Sequence, residues 1–84
     1  MGNYEKLLQK ARDSNKNFSF DDLCKLAELA GFEFIRSKGS HKMYRHNSIS
    51  QAMNFQNYEG KAKPYQVNQL LNAIEEINRE RGER

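Results

Sequence analysis

Residues 37–46 read SKGSHKMYRH, a run in which His41 follows a Gly-Ser pair, with bases on both sides and Tyr44 three residues further on. Imidazole is the side chain best placed to exchange protons near neutral pH. Cutting RNA needs the ribose 2′-hydroxyl deprotonated or the leaving 5′-oxygen protonated, and one positioned histidine supplies either transfer. Such a group contributes roughly 10²–10⁴-fold. Cations beside it, here Lys38, Lys42 and Arg45, stabilise the negative charge that grows on a phosphorane-like transition state. Ser40 is suited to bond a phosphate or to orient His41. The same residues also suit a plain polar turn in which the histidine bonds a nearby carbonyl, because no second acid/base group is identifiable in the sequence.

The remaining candidates are weaker. His46 lies five residues from His41 on the same expected strand, which puts the two on opposite faces, and it reads as a surface or strand-end residue. No second ligand at suitable spacing makes it a metal site, so no metal and no cofactor are expected. Cys24 has no disulfide partner and no cationic or metal-binding neighbours in sequence, and reads as a packing residue. Tyr44, Phe55, Tyr58 and Tyr65 are candidates to stack on bases. Tyr44 and Phe55 fit a strand core better, which leaves Tyr58, near Lys61 and Lys63 in a polar stretch, as the preferred stacker.

The charge is concentrated where the motif lies. Residues 36–63 carry six Lys/Arg (Arg36, Lys38, Lys42, Arg45, Lys61 and Lys63) against Glu59 alone, a net +5, while the segments on either side are each −1. A local excess of this kind raises phosphate affinity, although lysines also decorate strand edges simply to prevent aggregation. The expected RNA-binding set is Lys38, Gly39, Ser40, Lys42, Arg45, Lys61 and Lys63.

The elements that must position these residues follow from hydrophobic periodicity. Tyr4, Leu7, Leu8 and Ala11 predict a first amphipathic helix. Ser19 predicts the cap of a second, with Asp22 three residues on and Gly31 as its stop. Phe32–Ser37 reads as a strand, KGS as a turn and HKMYRH as the returning strand of a hairpin. AMNFQN reads as a third strand after the linker NSIS, and NYEGKAK as loop. Pro64 opens a last helix with an apolar stripe of Val67, Leu70, Leu71, Ile74 and Ile77. The expectation is a single α+β domain over residues 1–84 with a three-stranded antiparallel sheet packed on helices. Residues 1–17 form an N-terminal helical extension, 19–77 the core and 78–84 a tail.

Eighty-four residues bury a modest core, and domains of this size often lean on a partner. No apolar run approaches a membrane span, and Lys6 stands where a myristoylation signal wants Ser or Thr. With a lone cysteine and no charged-then-apolar leader, the expected location is the reducing cytoplasm.

At GFEFIRSKGSHKMYRH the chain resembles the HicA family of bacterial toxins, small mRNA interferases paired with HicB antitoxins. The resemblance runs from Tyr4 through MNFQ and returns in GKAKPYQVNQLLNAI, so it covers nearly all of residues 4–74 and is that of a longer-headed subgroup. It implies a fold like the double-stranded-RNA-binding domain with an extra N-terminal helix. It also implies that His41 is catalytic, that Gly39 and Ser40 shape the turn presenting it, and that mRNA is cleaved without ribosome or metal. The implied partner is a HicB-like antitoxin that covers the active-site region. This chain has Lys42 where many relatives carry a second histidine, and NYEG where they carry a Pro- or Gly-rich turn. The reading is therefore a metal-independent endoribonuclease. Its rivals are a non-catalytic RNA-binding module, a degenerate toxin that keeps only antitoxin binding, and a purely structural interaction domain.

Overall fold

A computed structural model describes residues 3–80. In chain order these form α1 (Asn3–Asp13), a short 3-10 turn (Asn15–Asn17), α2 (Phe20–Leu29), β1 (Glu33–Lys38), β2 (His41–His46), β3 (Ile49–Tyr58), β4 (Lys61–Ala62) and α3 (Pro64–Glu80). The strands make one antiparallel sheet in the order β1-β2-β3-β4. The architecture is α+β and agrees with the double-stranded-RNA-binding-domain-like layout, with α1 added in front.

Local chemistry sets the element ends. Ser19 Oγ accepts a hydrogen bond from the Asp22 N–H at 3.0 Å, satisfying one of the free donors at the start of α2. The other end of α2 closes at Gly31, whose φ of +103° reverses the chain so that the Phe32 N–H reaches back to the Ala27 carbonyl. Pro64 opens α3, where its missing N–H costs nothing.

The helices cover one face of the sheet. Tyr44 of β2 and Phe55 of β3 lie side by side there, ring centroids 5.7 Å apart, and both are buried with Leu23, Leu26, Val67 and Leu70. Ala11 of α1 is fully buried, and Tyr4, Leu7 and Leu8 pack against the same cluster. The first helix therefore belongs to the common core. Cys24 is buried within it, where desolvation holds the thiol above its ordinary value. Tyr44 Oη donates to Glu28 Oε2 at 3.1 Å, and burial likewise pushes the phenol upward.

Several boundaries differ from the sequence reading. The sheet has four strands among the described residues: the stretch expected as loop turns tightly at Glu59 and Gly60, both with positive φ, and returns as β4 beside Asn57 and Tyr58. Asn57 Oδ1 accepts from the Gly60 N–H at 2.7 Å and holds that turn. β3 begins at Ile49, so the linker shrinks to Asn47 and Ser48. α3 continues through Glu80 into the expected tail, whose residues 81–84 lie outside the described residues. No helix among the described residues is long and apolar enough to cross a membrane.

Candidate functional site

β1 and β2 are joined by a two-residue turn, Gly39-Ser40, closed by the pair Lys38 and His41. Gly39 takes φ +60° and Ser40 does not go positive, the pattern of a tight turn whose first position requires glycine. The Asn57 N–H donates to the Ser40 carbonyl at 2.8 Å, so the turn is tied to β3 as well as to its own strands. His41, half-buried, sits in the middle of the sheet at this end, with Lys38 on one side and Gln56 of β3 on the other.

Side chains alternate between the two faces of a strand. In β2, Tyr44 faces the helices, so His41 and Met43 face away from them, onto the uncovered side of the sheet. β1 would send Arg36 to the same side as Phe34, which meets the Tyr44 ring edge-on at 5.6 Å on the helical side. A bulge at Ile35 prevents this. Arg36 and Lys38 pair with Met43 and His41 across the two-residue turn and so share their face, while the extra residue at Ile35 lets Phe34 pair with Tyr44 on the helical side.

Two grooves meet at His41. The first, of about 560 Å³, is lined by Arg36 and Lys38 of β1, the Gly39-Ser40 turn, His41 and Met43 of β2, and Asn54 of β3. The second, of about 330 Å³, runs between β3 and the start of α3. Its polar walls are Gln51, Asn54 and Gln56 on one side and Tyr65, Gln66 and Gln69 on the other. Among the described residues, no carboxylate lines either groove. The first therefore presents two cations and a histidine to an anion, while the second, among the described residues, carries amides and a phenol beside the histidine they share.

Residues 20–75 match the family model described as the HicA toxin of bacterial toxin-antitoxin. The chain belongs to the HicA toxin family. No curated protein and no solved structure matches it. Membership makes it the toxin of a toxin–antitoxin pair, with an antitoxin as its partner.

In this HicA-family toxin the matched segment spans α2, all four strands and most of α3, so both grooves fall within it and α1 lies in front of it. Of the residues expected to bind RNA, Lys38, Gly39 and Ser40 line the first groove beside His41. Arg45 continues the outward row of β2, opposite Glu33. Lys42 does not join them. Strand alternation turns it to the helical face, where its Nζ lies 5.8 Å from the Phe20 ring centre. Lys61 and Lys63 sit at the β4 side of the sheet, two strands from β2, with the Lys63 ammonium 5.9 Å from the Tyr58 ring.

His46 has a structural job. Its Nδ1 accepts from the Ser48 N–H at 2.9 Å, which orders the β2–β3 turn, and its ring packs against Phe32 at 5.2 Å. Tyr58, expected in a loop, is the exposed last residue of β3 and lines neither groove; among the candidate stackers Tyr65 lines the second. Tyr44 and Phe55 are core, as their strand positions suggest.

Sequence reasoning counted Arg36 in the basic segment but left it out of the RNA-binding set, and it missed Gln51, Asn54, Gln56 and Gln69. The KGS turn expected from the sequence is one residue longer than the observed Gly39-Ser40 turn and would put Arg36 on the face opposite His41, and the bulge at Ile35 carries no Gly or Pro signal in FEFIRSK. The amides did leave a trace: Asn54 and Gln56 alternate with the core residue Phe55, and Tyr65 and Gln69 are one helical turn apart.

Proposed function

We propose that this toxin is an endoribonuclease that cuts mRNA, with His41 as the proton-transfer group. The observation that carries the reading is the position of His41: a half-buried imidazole on a pinned turn, where a groove holding Arg36 and Lys38 opens onto the free face of the sheet. Phosphates along an RNA strand fit the cationic side of that groove. A 2′-hydroxyl brought to His41 loses its proton to the ring as its oxygen attacks the adjacent phosphorus. The P–O5′ bond breaks, the products are a 2′,3′-cyclic phosphate and a 5′-hydroxyl, the departing oxygen takes a proton from water, and His41 returns its proton to solvent. Because the nucleophile comes from the substrate, the route needs no metal. Arg36 and Lys38 offset the charge that builds on the phosphoryl oxygens.

Ser40, Gly39 and Lys38 shape and charge the approach, and Arg45 extends the same basic row. Lys61 and Lys63, on the β4 side, receive flanking phosphates of a longer strand. Lys42, on the other face, makes no phosphate contact and packs on Phe20. A HicB-like antitoxin inhibits the toxin by covering the open face of the sheet, and toxin and antitoxin act in the cytoplasm, where mRNA is found.

The test compares wild type with His41→Ala, both purified free of antitoxin, on single-stranded RNA in the presence of chelator, with circular dichroism confirming the fold of each. The expected result is cleavage by wild type and a loss of roughly 10²–10⁴-fold in rate for the variant, which still binds RNA. Binding by both proteins and cutting by neither would reassign the chain as an RNA-binding module.

A further inference from the structure

The cationic groove accounts for phosphates but offers little that distinguishes one base from another, because a phosphate contact carries no sequence information. The second groove has the complementary chemistry. It adjoins the same histidine, yet its other polar residues are amides and one phenol. Among the described residues, no hydrogen bond within the chain engages the side-chain amides of Gln51, Gln56 or Gln69. Each therefore keeps a donor and an acceptor side by side, the arrangement that pairs with the edge of a nucleobase. Tyr65, 58% exposed, adds an aromatic face at the rim.

Gln66 shows that this wall is built rather than incidental. It is the one buried polar side chain among the described residues. Its Oε1 accepts from the Gln56 N–H at 2.9 Å and its Nε2 donates to the Asn54 carbonyl at 2.7 Å. The amide thus stands in for a neighbouring strand along the edge of β3 and clamps the first turn of α3 against it. That clamp sets the spacing between Gln51 and Gln56 on one wall and Tyr65 and Gln69 on the other.

We propose that the groove between β3 and α3 is a base-reading subsite. The nucleotide next to the cleaved phosphate places its unpaired base there, stacked on Tyr65, with its hydrogen-bonding edge on Gln51, Gln56 and Gln69. The sugar and phosphate pass His41 into the cationic groove. The inference rests on the endoribonuclease reading for its orientation, but base discrimination is measurable without cleavage.

The experiment measures binding of four homopolymeric RNA oligonucleotides by fluorescence anisotropy, in chelator and at one salt concentration, alongside mapping of cleavage sites on a mixed-sequence RNA. Wild type is compared with Gln51→Ala/Gln69→Ala and with Gln69→Glu, all at exposed positions where the fold is retained, and with Arg36→Ala as a phosphate-groove control. Wild type is expected to separate its best and worst homopolymers by about tenfold or more. The double alanine variant should bring the four affinities to within about twofold of one another, Gln69→Glu should change their order, and Arg36→Ala should weaken all four alike. An unchanged ranking in both glutamine variants, or a wild type that binds all four equally, overturns the subsite. Discrimination without cutting would keep the subsite and remove the nuclease reading, whereas cutting with no discrimination would do the reverse.

Discussion

Lys38 stands directly across the hairpin from His41, because the two residues close the two-residue Gly39-Ser40 turn. Lys42, adjacent to His41 in sequence, lies on the opposite face above the Phe20 ring. Nearness in sequence and nearness in the site are therefore inverted for these two lysines, and their substitutions should separate.

Arg36→Ala and Lys38→Ala are each expected to weaken RNA binding and to reduce the slope of log affinity against log salt by about 0.7 to 1, the signature of one lost phosphate contact. Lys42→Ala should leave that slope nearly unchanged. It should instead lose the contact with Phe20, worth about 0.5–1 kcal/mol, and so lower the urea midpoint. Salt titrations of RNA binding, paired with urea unfolding of the three variants, check this. A fall in slope for Lys42→Ala equal to that for Lys38→Ala would contradict the face assignment.

Gln66→Leu should be destabilising although it replaces a polar residue with an apolar one. The substitution leaves the Gln56 N–H and the Asn54 carbonyl without their partner on a part-buried edge, a loss of about 1–3 kcal/mol. Amide hydrogen exchange is the direct reading. Exchange at Gln56 should accelerate strongly, while exchange at Asn57, bonded to Ser40, changes little. Gln66→Glu keeps the acceptor for Gln56 and loses the donor to Asn54, so it should fall between wild type and Gln66→Leu at neutral pH.

Cys24 and Tyr44 predict alkaline sensitivity. Burial comes first among the causes that raise both groups, from ordinary values of 9.0 and 10.0 respectively. Each is an acid that stays protonated in the folded chain at a pH where the unfolded chain has released its proton. Their contribution is therefore fully present below the unfolded values and is lost as pH rises through and beyond them. Urea midpoints should hold between pH 7 and about 8.5 and fall above roughly pH 9. Cys24→Ala should recover part of the fall near pH 9 to 10. At neutral pH, alkylation of Cys24 should be slow until denaturant is added.

Local signals in the sequence were enough for some elements. The Ser19 cap with its bond to Asp22, the Gly31 stop and the strand His41–His46 appear where the sequence places them, because each depends on residues only a few positions apart. Gly39 marked the turn for the same reason: only a residue without a side chain takes that φ at no cost. β4 was hidden because two residues are too short a stretch for a period-2 pattern, and because Glu59 occupies a positive-φ position where Asn or Asp is the usual signal.

The composition of the site was decided at a longer range. Sequence alone placed a histidine on a glycine turn inside a basic segment, and a family resemblance attached a role to it. Which bases share its face depended on the pairing register between β1 and β2, in which the two-residue turn sets Lys38 and Arg36 on the face of His41 and the bulge at Ile35 returns Phe34 to the helices. That β3 and α3 form the second wall depended on Gln66 bonding across ten and twelve residues to the edge of β3. Register and edge contacts are set by the packing of the whole sheet against its helices, and no short window of residues contains both partners.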